Sequence, residues 1–252
     1  MRTAGRERST ARWDQVAGHW VRSLQTGGRP GAPPVVLVPG LGALGYLIDT
    51  LEGCGAWSHS FLLDVPGFGH RRPRAVCPPR IPALAETVSA WLAAVAREPV
   101  VLAGHSTGAQ VACRVAADHP ETVCSLVLMG PTFAPGARRV TGLLRALPGT
   151  LAHESPGEIR VTAPYYLRAG RELHRYLRAA LQDVPERVMD RVTCPTLILR
   201  GEHDALSPEP WVSELAARAP RGRWATVPGA HNFPYQRGGL TAALIAEAAR
   251  RR

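Results

Sequence analysis

The chain has 252 residues, 45% of them hydrophobic, enough for one domain with a sizeable core and an insertion. No run approaches the roughly 18 apolar residues of a membrane span, and the five cysteines are odd in number, far apart and without C-x-x-C spacing, which argues against a disulfide framework, zinc or redox chemistry. The net charge is +10 and all 30 basic residues are arginine, but they are scattered rather than gathered with interleaved aromatics, which argues against a nucleic-acid partner.

The first twelve residues, Met1 to Arg12, are basic and lack the apolar stretch of a secretory signal, so residues 1–12 are expected to be a disordered tail on a cytoplasmic protein. Residues 13–24 suggest an opening strand or hairpin. Residues 35–39 form the continuous apolar run of a buried parallel strand. A short helix near residues 45–53 leads to the strand Phe61-Leu62-Leu63-Asp64, followed by a Pro-rich loop at 73–82 and a helix to about Arg97. Next come an apolar strand from Val100, a helix to about Asp118 and the strand Val123 to Met129. Strands alternating with helices predict an α/β fold: a mostly parallel central sheet with helices on both faces.

Residues 131–191 interrupt that rhythm. Apolar residues recur there at helical spacing, as in Leu143, Leu144, Leu147 and Leu151, and again from Tyr165 to Leu181. A helical insertion is therefore expected between two parts of one core, 13–130 and 192–252. Its segment carries ten arginines against six acidic residues.

The chemistry concentrates at Gly104-His105-Ser106-Thr107-Gly108, which follows an apolar strand and opens a helix. A strand that turns sharply into a helix lifts a serine oxygen clear of the backbone, and the flanking glycines permit the close approach. Ser106 is thus the candidate nucleophile. A serine needs a histidine to take its proton and a carboxylate to orient that histidine. Downstream, a strand ends in Gly201-Glu202-His203-Asp204, and another is followed by Pro228-Gly229-Ala230-His231.

With Asp64-Val65-Pro66-Gly67-Phe68-Gly69 as a fourth element, these motifs resemble the α/β-hydrolase superfamily, its serine-nucleophile branch with a helical cap, over nearly the whole chain from Val16 onward. The resemblance implies catalysis by Ser106, His231 and Asp204, with Glu202 as the alternative acid, and no cofactor or metal. It implies an oxyanion hole built from the Thr107 N–H and from Leu41, in a loop where this chain has Pro39-Gly40 and many relatives have His-Gly. It also implies that residues 131–191 are the cap. Phe133, Tyr165 and Tyr166 are candidate substrate contacts, and His105 is expected to pack beneath the nucleophile. The expected reaction is hydrolysis of a carboxylic ester, thioester or lactone through an acyl-enzyme. Carbon–carbon bond hydrolysis, a cyclising or acyl-transferring tailoring reaction, and a non-catalytic binding role remain alternatives. The expected partner is a small, mostly apolar molecule, an anionic handle on it being a further alternative, with no nucleic acid or membrane involved; oligomeric state is left open.

Overall fold

A computed structural model of the chain describes residues 9–28, 31–70 and 77–251. It opens with two antiparallel strands, β1 (Thr10–Val16) and β2 (His19–Thr26), joined at Ala17-Gly18, where both φ angles are positive as a two-residue hairpin turn requires. Thr10, Ala11 and Arg12 pair with Gln25, Leu24 and Ser23, so the expectation of a disordered tail through residue 12 is corrected for these three: ladder hydrogen bonds to β2 hold them in the sheet. The remainder of that expectation, residues 1–8, lies outside the described residues, as do residues 73–76 of the expected Pro-rich loop at 73–82.

The chain continues through β3 (Val35–Val38), α1 (Ile48–Gly55), β4 (Ser60–Asp64), α2 (Ile81–Val95), β5 (Val100–His105), α3 (Thr107–Asp118) and β6 (Val123–Met129). Three helices then intervene: α4 (Val140–Leu151), α5 (Pro156–Ala169) and α6 (Arg171–Gln182). The core resumes with β7 (Thr196–Gly201), α7 (Glu209–Arg218), β8 (Gly222–Val227), the short α8 (Phe233–Gln236) and α9 (Gly238–Arg250).

The eight strands form one sheet in the order β1-β2-β4-β3-β5-β6-β7-β8. Only the pairings of β2 with β1 and with β4 are antiparallel. Every residue of β3, β4, β5 and β7 is buried, because apolar layers cover both faces. The two-residue period of β5 shows this directly. Val100 and Leu102 face a layer with Leu84, Val88 and Trp91 of α2 and Val111 of α3, whereas Val101 and Ala103 face Leu51 of α1 and Ile245 of α9. A strand buried on both sides reads as an unbroken apolar run, and each such side chain contributes roughly 1.5–3 kcal/mol.

The insertion α4 to α6 sits between β6 and β7 and docks through a few specific contacts. Gln110 of α3 donates to the Ala180 carbonyl at 2.9 Å and Arg114 pairs with Asp183 at 2.8 Å, while Arg138 forks onto Glu186 at 2.7 and 2.5 Å and so joins the two ends of the insertion to each other. Helix α5 starts at Ser155, whose hydroxyl accepts the Gly157 N–H at 3.3 Å. Among the described residues, no helix is long and apolar enough to cross a membrane.

Candidate active site

Ser106 stands between the end of β5 and the start of α3, with φ 55° and ψ −121°. An L-residue rarely holds that conformation, and here its surroundings enforce it. The Ser106 N–H is held by the Met129 carbonyl at 2.9 Å, and its carbonyl accepts from Ala109 at 3.0 Å. A Cβ on Gly104 would collide with the Gly108 carbonyl, and one on Gly108 with the Val38 carbonyl, so strand and helix close on each other only because both residues are glycine.

His231, in the loop after β8, and Asp204, in the turn after β7, converge on this point. His231 Nε2 is 2.9 Å from Ser106 Oγ, and His231 Nδ1 is 2.9 Å from Asp204 Oδ2. The second oxygen of Asp204 accepts the backbone N–H groups of Leu206 and Ser207, each at 2.9 Å, so the carboxylate is fully engaged while 1% exposed. Two backbone hydrogen bonds, Glu202 to Val227 at 2.9 Å and His203 to Gly229 at 3.0 Å, tie the Asp204 turn to the segment that leads to His231. Gly130 lies against the pair with φ +52°, and a Cβ there would stand 3.1 Å from both Asp204 Oδ2 and His231 Nδ1. Glu202, the alternative acid, is half exposed, and its Oε1 meets the Gly229 N–H at 3.4 Å and His203 Nε2 at 3.6 Å, not His231.

The electrostatics follow from burial and pairing. Burial alone pushes the Asp204 carboxyl up, but the His231 charge, its hydrogen bond and the Ser207 N–H outweigh that and bring it below the ordinary aspartate value. Burial alone pushes His231 down, and the Asp204 carboxylate outweighs it and raises the imidazole above the ordinary histidine value. A proton on Nδ1, facing Asp204, leaves the Nε2 lone pair to accept the Ser106 O–H.

Both expected oxyanion donors lie beside Ser106. Thr107 opens α3, where the first N–H groups of a helix have no partner within it. Leu41 adopts φ 45° in the turn after β3, and its N–H is donated to the Thr107 hydroxyl at 2.8 Å.

The pocket over Ser106 has a volume of about 210 Å³ and is walled by Leu41, Phe133, Leu143, Tyr166, Leu177 and Leu206, with Thr132 and Asn232 as polar edges. Phe133 and Tyr166 line it. Tyr165 does not: its ring lies under the Arg168 guanidinium, 4.9 Å away, and packs toward the core, because adjacent residues of a helix point about 100° apart. No arginine is among the lining residues; the arginines of the insertion with described partners are engaged by Glu186, Glu172, Asp118 and the Phe68 carbonyl.

Sequence reasoning passed over the pocket walls Leu143, Leu177 and Leu206, and also a carboxyl pair on the cap. Glu154 Oε1 accepts the Asn232 N–H at 2.8 Å, and Glu158 accepts from the Asn232 side chain. Burial and the neighbouring Glu154 carboxyl push Glu158 up to about 9, so it is neutral at pH 7. Glu154 lies in the turn before α5 and Glu158 in its first turn, and their four-residue spacing was the signal available.

The alpha/beta hydrolase family model matches residues 35–244. A poly(3-hydroxyalkanoate) depolymerase of Ectopseudomonas oleovorans is 28% identical over an alignment spanning 89% of this chain and 88% of that protein. Lipase LipV of Mycobacterium tuberculosis is 35% identical over 92 residues, 36% of this chain and 35% of the lipase. Among solved structures, a bacterial membrane phospholipase A superposes with a TM-score of 0.78 at 21% identity, covering 97% of this chain and 87% of that one. The family match and the two sequence relatives support a hydrolase, and the likeness to the phospholipase A shows the fold alone. On the match over residues 35–244, the chain belongs to the alpha/beta hydrolase family.

Proposed function

We propose that the protein hydrolyses carboxylic esters, thioesters and lactones falling in the same chemical class, through an acyl-enzyme on Ser106. The observation that carries this reading is the unbroken hydrogen-bonded chain from Ser106 Oγ through His231 to Asp204, opening on an apolar pocket. Ser106 Oγ attacks the carbonyl carbon as its proton passes to His231 Nε2, and Asp204 stabilises the imidazolium formed. The carbonyl oxygen becomes an oxyanion held by the Thr107 N–H and by the Leu41 N–H, which exchanges its Thr107 hydroxyl partner for the substrate. Collapse expels the alcohol, which takes the proton from His231. A water, deprotonated by the same histidine, then attacks the acyl group and frees the acid and Ser106.

The pocket selects the substrate. At about 210 Å³ it lies below the usual range for drug-sized ligands and suits one small or medium acyl group. Its walls are aliphatic and aromatic, which favours an uncharged acyl chain and weighs against an anionic handle at this end of the substrate. The depolymerase and lipase relatives support an ester substrate with an aliphatic acyl part.

Labelling with a fluorophosphonate, followed by peptide mapping and a screen of activated esters of graded acyl length, tests the reading. The label should map to Ser106, medium acyl chains should be cleaved faster than acetyl, and Ser106→Ala should lose the label and at least about 10⁴-fold in kcat. A label elsewhere, or none on folded protein, overturns the assignment. Labelling at Ser106 without cleavage of any ester or thioester would move the reading to carbon–carbon cleavage or acyl transfer by the same three residues.

A further inference from the structure

Beneath the nucleophile runs a second hydrogen-bonded chain that no step above uses. Tyr46, in the turn before α1, and His105, the last residue of β5, are 2% and 1% exposed. His105 Nε2 is 2.9 Å from the backbone carbonyl of His231, His105 Nδ1 is 2.8 Å from the Tyr46 hydroxyl, and that hydroxyl is 2.6 Å from the Gly40 nitrogen. The two ends fix the protons. A backbone carbonyl only accepts and a backbone N–H only donates, so His105 carries its proton on Nε2, Tyr46 donates to Nδ1, and Gly40 donates to the Tyr46 oxygen. Each group is satisfied once, and His105 must be neutral. Burial and the neighbouring His231 agree with that, holding His105 down at about 3.

What the chain joins is more informative than the chain itself. Gly40 precedes Leu41, the loop residue read above as an oxyanion donor, and a Cβ on Gly40 would stand 2.8 Å from the Ser106 Cβ. The other end is the main chain of His231. The ring of His105 also touches those of Tyr46 and His231, with centroids 5.1 and 5.0 Å apart. The two loops are separated by 190 residues of sequence, and between them they supply the proton acceptor and one oxyanion contact for the same carbonyl group.

We infer that Tyr46 and His105 are positioning residues: a buried strut that sets the distance between the oxyanion loop and the backbone of His231. The inference rests on the hydrolase reading of Ser106 and His231. Both residues lie at the floor of the pocket, and the strut acts through the two loops it joins rather than through contact with the reacting atoms. A strut that merely satisfied buried polar groups would matter for stability alone, whereas one that sets this distance must show in the chemical step, since small displacements of reacting groups cost rate steeply.

The test measures the second-order rate of fluorophosphonate labelling at Ser106, together with kcat, KM and Tm on the best ester. Tyr46→Phe keeps the ring and deletes the hydroxyl. It should slow labelling and kcat by about tenfold, less than the roughly 100-fold lost with an oxyanion donor itself, while leaving KM unchanged. Because one chain is cut either way, the double variant Tyr46→Phe with His105→Asn should be no slower than the worse single variant. Should Tyr46→Phe fail to fold, His105→Gln against His105→Ala decides. Glutamine can place an N–H near the Nε2 position toward the His231 carbonyl, so it should retain more of the labelling rate than alanine. Variants that lose Tm but label at the parent rate, single effects that multiply in the double variant, or glutamine no faster than alanine would each overturn the strut. A parent protein that takes no label overturns the hydrolase reading first and the strut with it, so the two failures are distinguishable.

Discussion

The sheet and the insertion each build one side of the pocket, and they are held very differently. Ser106 and Asp204 follow β5 and β7, strands locked between two apolar layers, His231 follows the edge strand β8, and every polar atom that links the three residues has a partner within about 3 Å. The insertion contributes Leu143, Tyr166 and Leu177 from helices whose outer faces leave Leu144, Ile159 and Leu167 61%, 64% and 83% exposed, and two of those helices contain a proline, Pro148 and Pro164. Bond making tolerates little displacement, so its groups sit where packing is tightest. In the proposed reaction, selection among acyl groups would tolerate more, and its walls sit on the part that leaves large apolar side chains exposed.

The division can be broken most severely from the sheet side. Asp204→Asn should keep the fold and substrate binding yet lose on the order of 10⁴ in kcat, because the amide favours the wrong His231 tautomer, whereas Glu202→Gln should leave turnover unchanged. The pH profile supplies the sign. His231 must be neutral to accept a proton, and Asp204 raises it, so kcat/KM should rise with pH through a midpoint above the ordinary histidine value. In Asp204→Asn the midpoint of the residual activity should move to lower pH; a midpoint that stays put would detach Asp204 from His231.

An effect of intermediate size is expected from the cap side. Tyr166→Ala or Leu177→Ala should raise KM for the longest accepted acyl chain roughly tenfold, the worth of one buried apolar contact, and leave kcat on short esters nearly untouched. Tyr165→Phe, on a ring outside the pocket, should change neither. Equal losses of kcat for short and long esters would show that the cap does more than select.

The smallest effect concerns how the cap meets the His231 loop. Glu158 keeps its proton up to about 9 in the fold, while the unfolded chain releases it near 4.5, so its contribution is full below 4.5 and declines as pH rises toward 9. Glu158→Gln retains the acceptor for Asn232 and carries no ionisable group. Melting curves between about pH 5 and pH 9 should therefore show the variant gaining Tm over the parent as pH rises, and parallel curves would contradict the neutral carboxyl.

Much of this was legible in the sequence, for a physical reason. A strand covered on both faces must be apolar throughout, so Val100 to His105 announces itself, and the glycines around Ser106 have no other economical use. Asp204 lies just beyond such a strand, β7, and His231 just beyond the edge strand β8. What escaped depends on rotation and distance. Tyr165 and Tyr166 are neighbours in sequence, and only the docking of α5 decides which ring faces the pocket. Tyr46 and His105 lie 59 residues apart and carry no spacing that betrays their bond. The extra strand residues Thr10 to Arg12 were hidden because an edge hairpin, exposed on much of its surface, need not be apolar.

In the proposed reaction the Leu41 N–H, donated in the resting site to the Thr107 hydroxyl at 2.8 Å, would act as a thermodynamic filter for charge. A neutral carbonyl oxygen that enters exchanges one uncharged acceptor for another and gains little net free energy. An oxygen that has acquired a full negative charge gains more, since hydrogen bonds to ionised acceptors are roughly twice as strong. The resting bond therefore weakens attachment of ground-state esters, ketones and amides without weakening the tetrahedral adduct to the same degree. By the same reasoning, boronic acids and phosphonates, which present a charged oxygen at that position, should outrank neutral carbonyl inhibitors of equal size.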